Sequence, residues 1–274
     1  MHRRHLLQLT ASAMAAALPS VAPAGELQIL SRPSTVQDLT QALLVRCPQL
    51  DRAFLVQVTT PPGLPPGARV PVLYALDGGL GVVGPIAGFL AASGATAPMI
   101  VVSIGHQPKD YRLRNGDVLH KPVNRRGTMV GGGGAALEAF LRDELRPYVE
   151  ANFPVDPARA YLFGHSYAGA FAANVLAHQP TAFAGFLIAS PNLPEDPELA
   201  QALGRLAGSG QSILLARGET DIAGVEPSVL ALKGWLGRPG SGFALTDRVF
   251  PGANHASYIP AMLLDALPRL APPS

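Results

Sequence analysis

Cross-links are the first thing this sequence excludes. It contains one cysteine, Cys47, so no intramolecular disulfide staples the fold. That cysteine also lies too far from the start to carry a lipid anchor, and its reading is a small buried hydrophobe. Charge is scarce too: 15% of residues are Asp, Glu, Lys or Arg, and the formal net charge of +2 offers nucleic acid no electrostatic footprint. The chain shows no internal repeat, no heptad pattern and no apolar run long enough for a permanent membrane span. The glycine run Gly131–Gly134 reads as a hinge or a phosphate-cradling turn. It lacks the Lys-Ser/Thr that completes a P-loop, which removes nucleotide binding. What is abundant is apolar surface. With 48% hydrophobic residues in 274, one large core is expected, and it needs no covalent staple.

The first residues read as an export segment rather than as part of that core. Paired arginines, Arg3-Arg4, precede Leu6-Leu7 and an Ala-rich run through Leu18, and Ala22-Pro23-Ala24 places small residues where a signal peptidase reads. This is a twin-arginine-like pattern with His2 where Ser or Thr is usual; a general secretory signal is the alternative. Residues 1–24 are therefore expected to be removed after Ala24, leaving 25–274 as a catalytic domain in the periplasm.

Along the mature chain, apolar runs alternate with helical patterns. Strands are predicted over 52–60, 70–76, 99–104, the stretch from Ala160 to the elbow, 183–189, 212–217 and 243–250. Helices are predicted over 135–151, 168–178, 227–236 and 259–270, with Pro147 kinking the last turn of the first. Strands and helices alternating at this spacing mean an α/β fold, a mostly parallel central sheet with helices on both faces.

The chemistry concentrates at one junction. Tyr161-Leu162-Phe163 runs into Gly164-His165-Ser166-Tyr167-Ala168-Gly169 and on into a helix. A serine on such a sharp strand-to-helix turn exposes its hydroxyl, and only small residues tolerate the close backbone approach around it. Ala168 stands where the G-x-S-x-G pattern has its last glycine. A serine hydroxyl needs an imidazole to take its proton and a carboxylate to orient that imidazole. Two histidines follow Ser166. His178 is three helical turns away, roughly 18 Å at 1.5 Å per residue, so His255, in a Gly/Asn loop at a strand end, is the base. The acid is Asp221 in Gly218-Glu219-Thr220-Asp221, with Glu219 as the competitor. Backbone N–H groups of Tyr167 and of Gly79, in the glycine turn after the 70–76 strand, are assigned to the oxyanion hole.

The segment from His106 to Val130 is long for a connection and carries Lys109, Arg112, Arg114, Lys121, Arg125 and Arg126 against Asp110 and Asp117. It leaves the carboxyl end of a strand, the edge where open α/β sheets bind ligands, so it reads either as a solvated loop or as a positive wall drawing in an anionic substrate.

Taken together, Val72-Leu73-Tyr74-Ala75-Leu76-Asp77-Gly78, Val102-Ser103-Ile104-Gly105, the 140–148 stretch, Gly164-His165-Ser166-Tyr167, Ala189-Ser190-Pro191-Asn192 and the His255 loop resemble the esterase D-like (putative-esterase) family of α/β-hydrolases. Within it, the siderophore esterases that open ferric catecholate trilactones are the nearest group. The resemblance implies an α/β-hydrolase fold and a monomeric serine esterase without bound cofactor or metal, whose partner is a small-molecule ester. It carries over Ser166 as nucleophile and His255 as base, and Asp221 less firmly, since some siderophore esterases manage with Ser and His alone. Arg112 or Arg114 falls in the family's substrate-binding arginine region, and His106 joins them as a candidate to meet substrate. The family also holds feruloyl and acetyl esterases, thioester hydrolases and acyltransferases. A non-catalytic siderophore binder on the same scaffold is the rival from another class; it has no reason to retain Ser, Asp and His in order.

Overall fold

A computed structural model describes residues 39–64, 66–76 and 81–273; the export segment and the Gly79 turn lie outside the described residues. The apolar runs become neighbours in one eight-stranded sheet. In chain order these are β1 (Thr40–Cys47), β2 (Arg52–Thr59), β3 (Val70–Leu76), β4 (Ile100–His106), β7 (Val155–His165), β8 (Gly185–Ala189), β9 (Ser212–Thr220) and β10 (Ala244–Asn254). Across the sheet they lie β1-β2-β4-β3-β7-β8-β9-β10, every contact from β4 to β10 parallel and β2 antiparallel to both its neighbours. The intervening β5 (Val123–Arg125) and β6 (Thr128–Val130) pair only with each other.

Alternate residues of the central strands feed two cores, as expected for strands buried on both faces. Leu73, Ala75, Val101, Phe163 and Leu187 pack under α1 (Val83–Ala92) and α8 (Ile259–Leu270). Val72, Tyr74, Val102, Leu162 and Ile188 face α3 (Gly134–Phe140), α4 (Arg146–Asn152), α5 (Tyr167–His178), α6 (Pro197–Arg205) and α7 (Val225–Leu236). Helices thus cover both faces, and the α/β-hydrolase expectation holds. Strand order reverses between β3 and β7: β4 lies to one side of β3, β7 to the other. The carboxyl end of β7 at such a switch point is where a ligand crevice opens.

Three departures from the expected elements have physical causes. The single helix over 135–151 is two, α3 and α4, joined by a π turn at Leu141–Leu145, where the Arg146 N–H reaches back to the Leu141 carbonyl. Pro147 has no N–H to give and its ring crowds the carbonyl four residues back, so the widened turn absorbs the proline ahead of it. The edge strand β1 has a weak alternation because seven of its eight residues, all but Cys47, are at least partly exposed. The long basic segment is not irregular either. A 3₁₀ turn at Pro108–Leu113 leads into the short α2 (Arg114–Val118), and the β5–β6 hairpin follows, turning on Arg126 and Gly127 at positive φ.

Candidate active site

Four parallel strands end side by side at one edge, and each delivers a polar group there. Ser166 follows β7, Ser190 follows β8, Asp221 follows β9 and His255 follows β10. Ser166 sits at φ 61°, ψ −121°, a strained conformation that lifts its side chain out of the strand line before α5 begins. Gly164 makes the turn possible: a Cβ there would collide with the Ala168 carbonyl. Ala168 itself is fully buried without conflict, which is why the motif tolerates its methyl group.

His255 Nε2 lies 3.0 Å from Ser166 Oγ, and its Nδ1 lies 2.6 Å from Asp221 Oδ1. With the ring proton on Nδ1 and given to the carboxylate, Nε2 faces the serine hydroxyl as an acceptor, the arrangement a general base requires. The acid is more enclosed than the base: the Asp221 side chain is 3% exposed, that of His255 24%. Burial pushes the Asp221 carboxyl upward, but hydrogen bonds from Ser190, His255 and the Ile222 N–H outweigh it and hold the group below its ordinary value. Close approach of β9 and β10 is needed for this pairing, and Gly218 permits it. A side chain at that position would come within 2.5 Å of the Ala253 and Asn254 carbonyl oxygens.

Sequence reasoning missed the groups behind the acid. Ser190 Oγ donates to Asp221 Oδ2 at 2.5 Å and lies 2.6 Å from the Tyr258 hydroxyl. Both residues are buried. Since Ser190 spends its proton on the carboxylate, Tyr258 donates to Ser190, making a chain of two hydroxyls that ends on the acid. The signal was a hydroxyl residue placed directly after a central strand, Ala189-Ser190. Replacing Ser190 by alanine removes a donor to a buried carboxylate and leaves the Tyr258 hydroxyl with the Ala216 carbonyl at 3.4 Å. The expected result is a fall in kcat of roughly tenfold or more, with KM little changed; Y258F should be milder. Equal loss in kcat and thermal stability for both variants would instead assign them to packing.

The competing carboxylate is engaged elsewhere: Glu219 Oε2 accepts the Gly252 N–H at 2.7 Å and braces the end of β10. His165, the variable residue of the elbow motif, also has a task. Its Nε2 lies 2.6 Å from the His255 carbonyl oxygen, and the two rings sit 4.5 Å apart.

The residues expected to meet substrate are separated by the fold. Arg112 is exposed. Arg114 is buried and donates from Nη2 to the His165 carbonyl at 2.9 Å, directly beneath the elbow. His106 is buried with its Nε2 2.8 Å from Asp117 Oδ2. In this structure both head groups are engaged by the protein itself. Lys121 is likewise held, by Asp196 and Glu198 at 2.8 and 2.9 Å. The basic residue the structure brings beside the nucleophile is Arg125, exposed on the β5–β6 hairpin, its guanidinium 5.6 Å from the centre of the Tyr167 ring. The N–H of Tyr167 opens α5, where the helix's positive end favours a developing oxyanion. Gly79, the second oxyanion candidate, lies outside the described residues.

Comparison with known proteins agrees with this architecture. The profile of a family described as "Putative esterase" matches residues 48–209, a stretch that contains Ser166 and ends before Asp221 and His255. Ferri-bacillibactin esterase BesA of Bacillus subtilis is 26% identical over 159 residues, covering 52% of this chain and 55% of that protein. Siderophore triacetylfusarinine C esterase of Aspergillus fumigatus is 34% identical over 132 residues, covering 45% and 44%. The matched stretch thus spans about half the length of these curated relatives. The crystal structure of the BES protein from Bacillus cereus superposes with a TM-score of 0.73 at 20% identity, covering 89% of this chain and 99% of that one, a likeness of fold.

Proposed function

The chain belongs to the putative-esterase family, whose profile covers more than half of it, and on that premise we propose that it is a serine hydrolase of carboxylic esters acting on a ferric catecholate siderophore. The observation that carries the reading is the unbroken relay Ser166–His255–Asp221, at 3.0 and 2.6 Å. Ser166 Oγ attacks the ester carbonyl as His255 Nε2 takes its proton. Asp221 fixes the imidazole's tautomer and stabilises its charged form. The N–H of Tyr167, with that of Gly79, holds the oxyanion. Collapse of the tetrahedral intermediate passes the proton from His255 to the leaving alkoxide, and water then frees the acyl group by the same route. Iron enters and leaves with the substrate.

Relatives named as a ferri-bacillibactin esterase and a siderophore triacetylfusarinine C esterase support the substrate class. The deciding experiment is a mass-spectrometric hydrolysis screen of the purified protein. It sets ferric and iron-free catecholate siderophores against feruloyl esters and p-nitrophenyl acyl esters. Preference for a ferric catecholate is expected. Turnover of the simple esters alone makes the protein a general carboxylesterase, acyl transfer to an added alcohol makes it a transferase, and binding without turnover makes it a carrier. Export to the periplasm through the Arg3-Arg4 segment belongs to the same reading. Among the described residues no helix is long and apolar enough to cross a membrane.

Arg125 gives the substrate reading a separate test. A cation stacked beside the residue after the nucleophile raises the local concentration of an anionic ester, and the effect fades as salt shortens the Debye length from about 8 Å at 0.15 M. R125E should lower kcat/KM for a ferric catecholate by about tenfold and leave a neutral p-nitrophenyl ester nearly unchanged, with high salt closing the gap. Equal losses on both substrates would make the residue structural.

A further inference from the structure

At the end of α5 remote from the nucleophile, three chemistry-bearing side chains converge from separate elements. His178 closes α5, Glu138 lies within α3, and His120 follows α2. His120 Nε2 is 2.8 Å and His178 Nδ1 3.1 Å from the same carboxylate oxygen, Glu138 Oε2. One donor atom from each residue lies within 4.8 Å of the other two. We propose that His120, Glu138 and His178 bind a divalent first-row transition ion of the zinc type, through two imidazole nitrogens and one carboxylate oxygen.

The donor set suits such an ion, whose nitrogen and oxygen ligands at about 2.0–2.2 Å stand roughly 3.3 Å from one another in a tetrahedral shell. The two shorter separations, 2.8 and 3.1 Å, need only open by about half an ångström or less to reach that value. Exposure is graded as an ion site needs. The His120 and Glu138 side chains are each 8% exposed, whereas His178 is 51% exposed and leaves room for water in the remaining coordination positions. The carboxylate also has its outer support, since Gln179 Nε2 donates to Glu138 Oε1 at 2.5 Å.

The buried imidazole is held in place from several sides. Its ring packs 5.4 Å from Phe171 and 5.6 Å from His178, and a Cβ at Gly134 would come within 2.5 Å of its Nδ1. The glycine run singled out in the sequence ends in this seat. In the ion-free arrangement His120 Nε2 donates to the Glu138 carboxylate; ligation through Nε2 would move that proton to Nδ1, which is buried without a hydrogen-bond partner among the described residues. A bound ion would clamp the far end of the helix that carries the nucleophile to α3 and to the segment leading into the Arg125 hairpin.

The test uses the full chain stripped with a chelator and titrated with Zn²⁺ by calorimetry and thermal unfolding, then with Co²⁺ by visible absorption. One equivalent should bind, saturating Zn²⁺ should raise Tm by about 5 °C or more, and Co²⁺ should show ligand-field bands. H178A removes an exposed ligand and should weaken binding at least tenfold and abolish the bands; H178Q serves if the alanine variant does not fold. Absence of a saturable equivalent in the parent would overturn the site and leave three hydrogen-bonded side chains. So would binding that survives both His178 variants, since it must then come from other histidines such as His255.

Discussion

Changing Ser166 to alanine should abolish ester hydrolysis, by roughly 10⁴-fold or more, while the protein keeps its fold. The backbone at position 166 is held at φ 61° by its neighbours: the N–H donates to the Ala189 carbonyl at 2.9 Å, and the carbonyl accepts from Ala170 and Asn192. Among the described residues the hydroxyl meets His255 alone, so its loss leaves the architecture intact. A fluorophosphonate probe should label the parent at Ser166 and leave S166A unmarked. H255A should lose nearly as much, because nucleophile and base act as a unit. Turnover retained in S166A, or labelling at another residue, would remove the proposed chemistry altogether.

The second large effect is at the acid. D221N should cost roughly 10⁴-fold in kcat, because an amide facing Nδ1 no longer fixes the tautomer that leaves Nε2 free to accept. E219Q should cost little, since Glu219 binds the Gly252 N–H and not the imidazole. Side-by-side kinetics of the two variants on one ester separate them, and a mild D221N would mean that Ser166 and His255 work as a dyad. Asp221 also links stability to pH. Its carboxyl is held below the ordinary value in the folded chain, so its contribution is present above the unfolded-state value near 4 and is lost as pH falls through the native one. D221N should therefore flatten part of the acid limb of an unfolding curve.

Much of this was legible because the patterns were local. β3, β4 and α8 are continuous apolar or amphipathic runs with clear ends, and Ser166 stands where a strand pattern meets a helix pattern. The order Ser, acid, His could be followed along the chain, but the choice between Asp221 and Glu219 depends on which way two side chains point from one turn, and spacing does not encode that. The long basic segment was only partly legible for a similar reason. Charge composition identified it, but only the fold reveals that Arg114 is inserted beneath the elbow, that Lys121 is spent on α6, and that a hairpin carries Arg125 to Tyr167. Ser190, Tyr258 and His165 act through contacts between residues far apart in sequence, and a hydroxyl or imidazole in isolation carries no mark of its partner.

The pairing of His165 with the main chain of His255 bears on how this scaffold can diversify. Neighbouring residues of the elbow hold the base at two points, His165 at its backbone carbonyl and Ser166 at its ring. The spacing between nucleophile and base is therefore set from the elbow and does not depend on the stiffness of the loop that delivers the histidine. With Glu219 bracing the Gly252 N–H, the exposed side chain at Pro251 can change while the spacing of nucleophile and base is kept. A lineage that keeps the hitch at position 165 can explore new substrate rims without first re-solving catalysis.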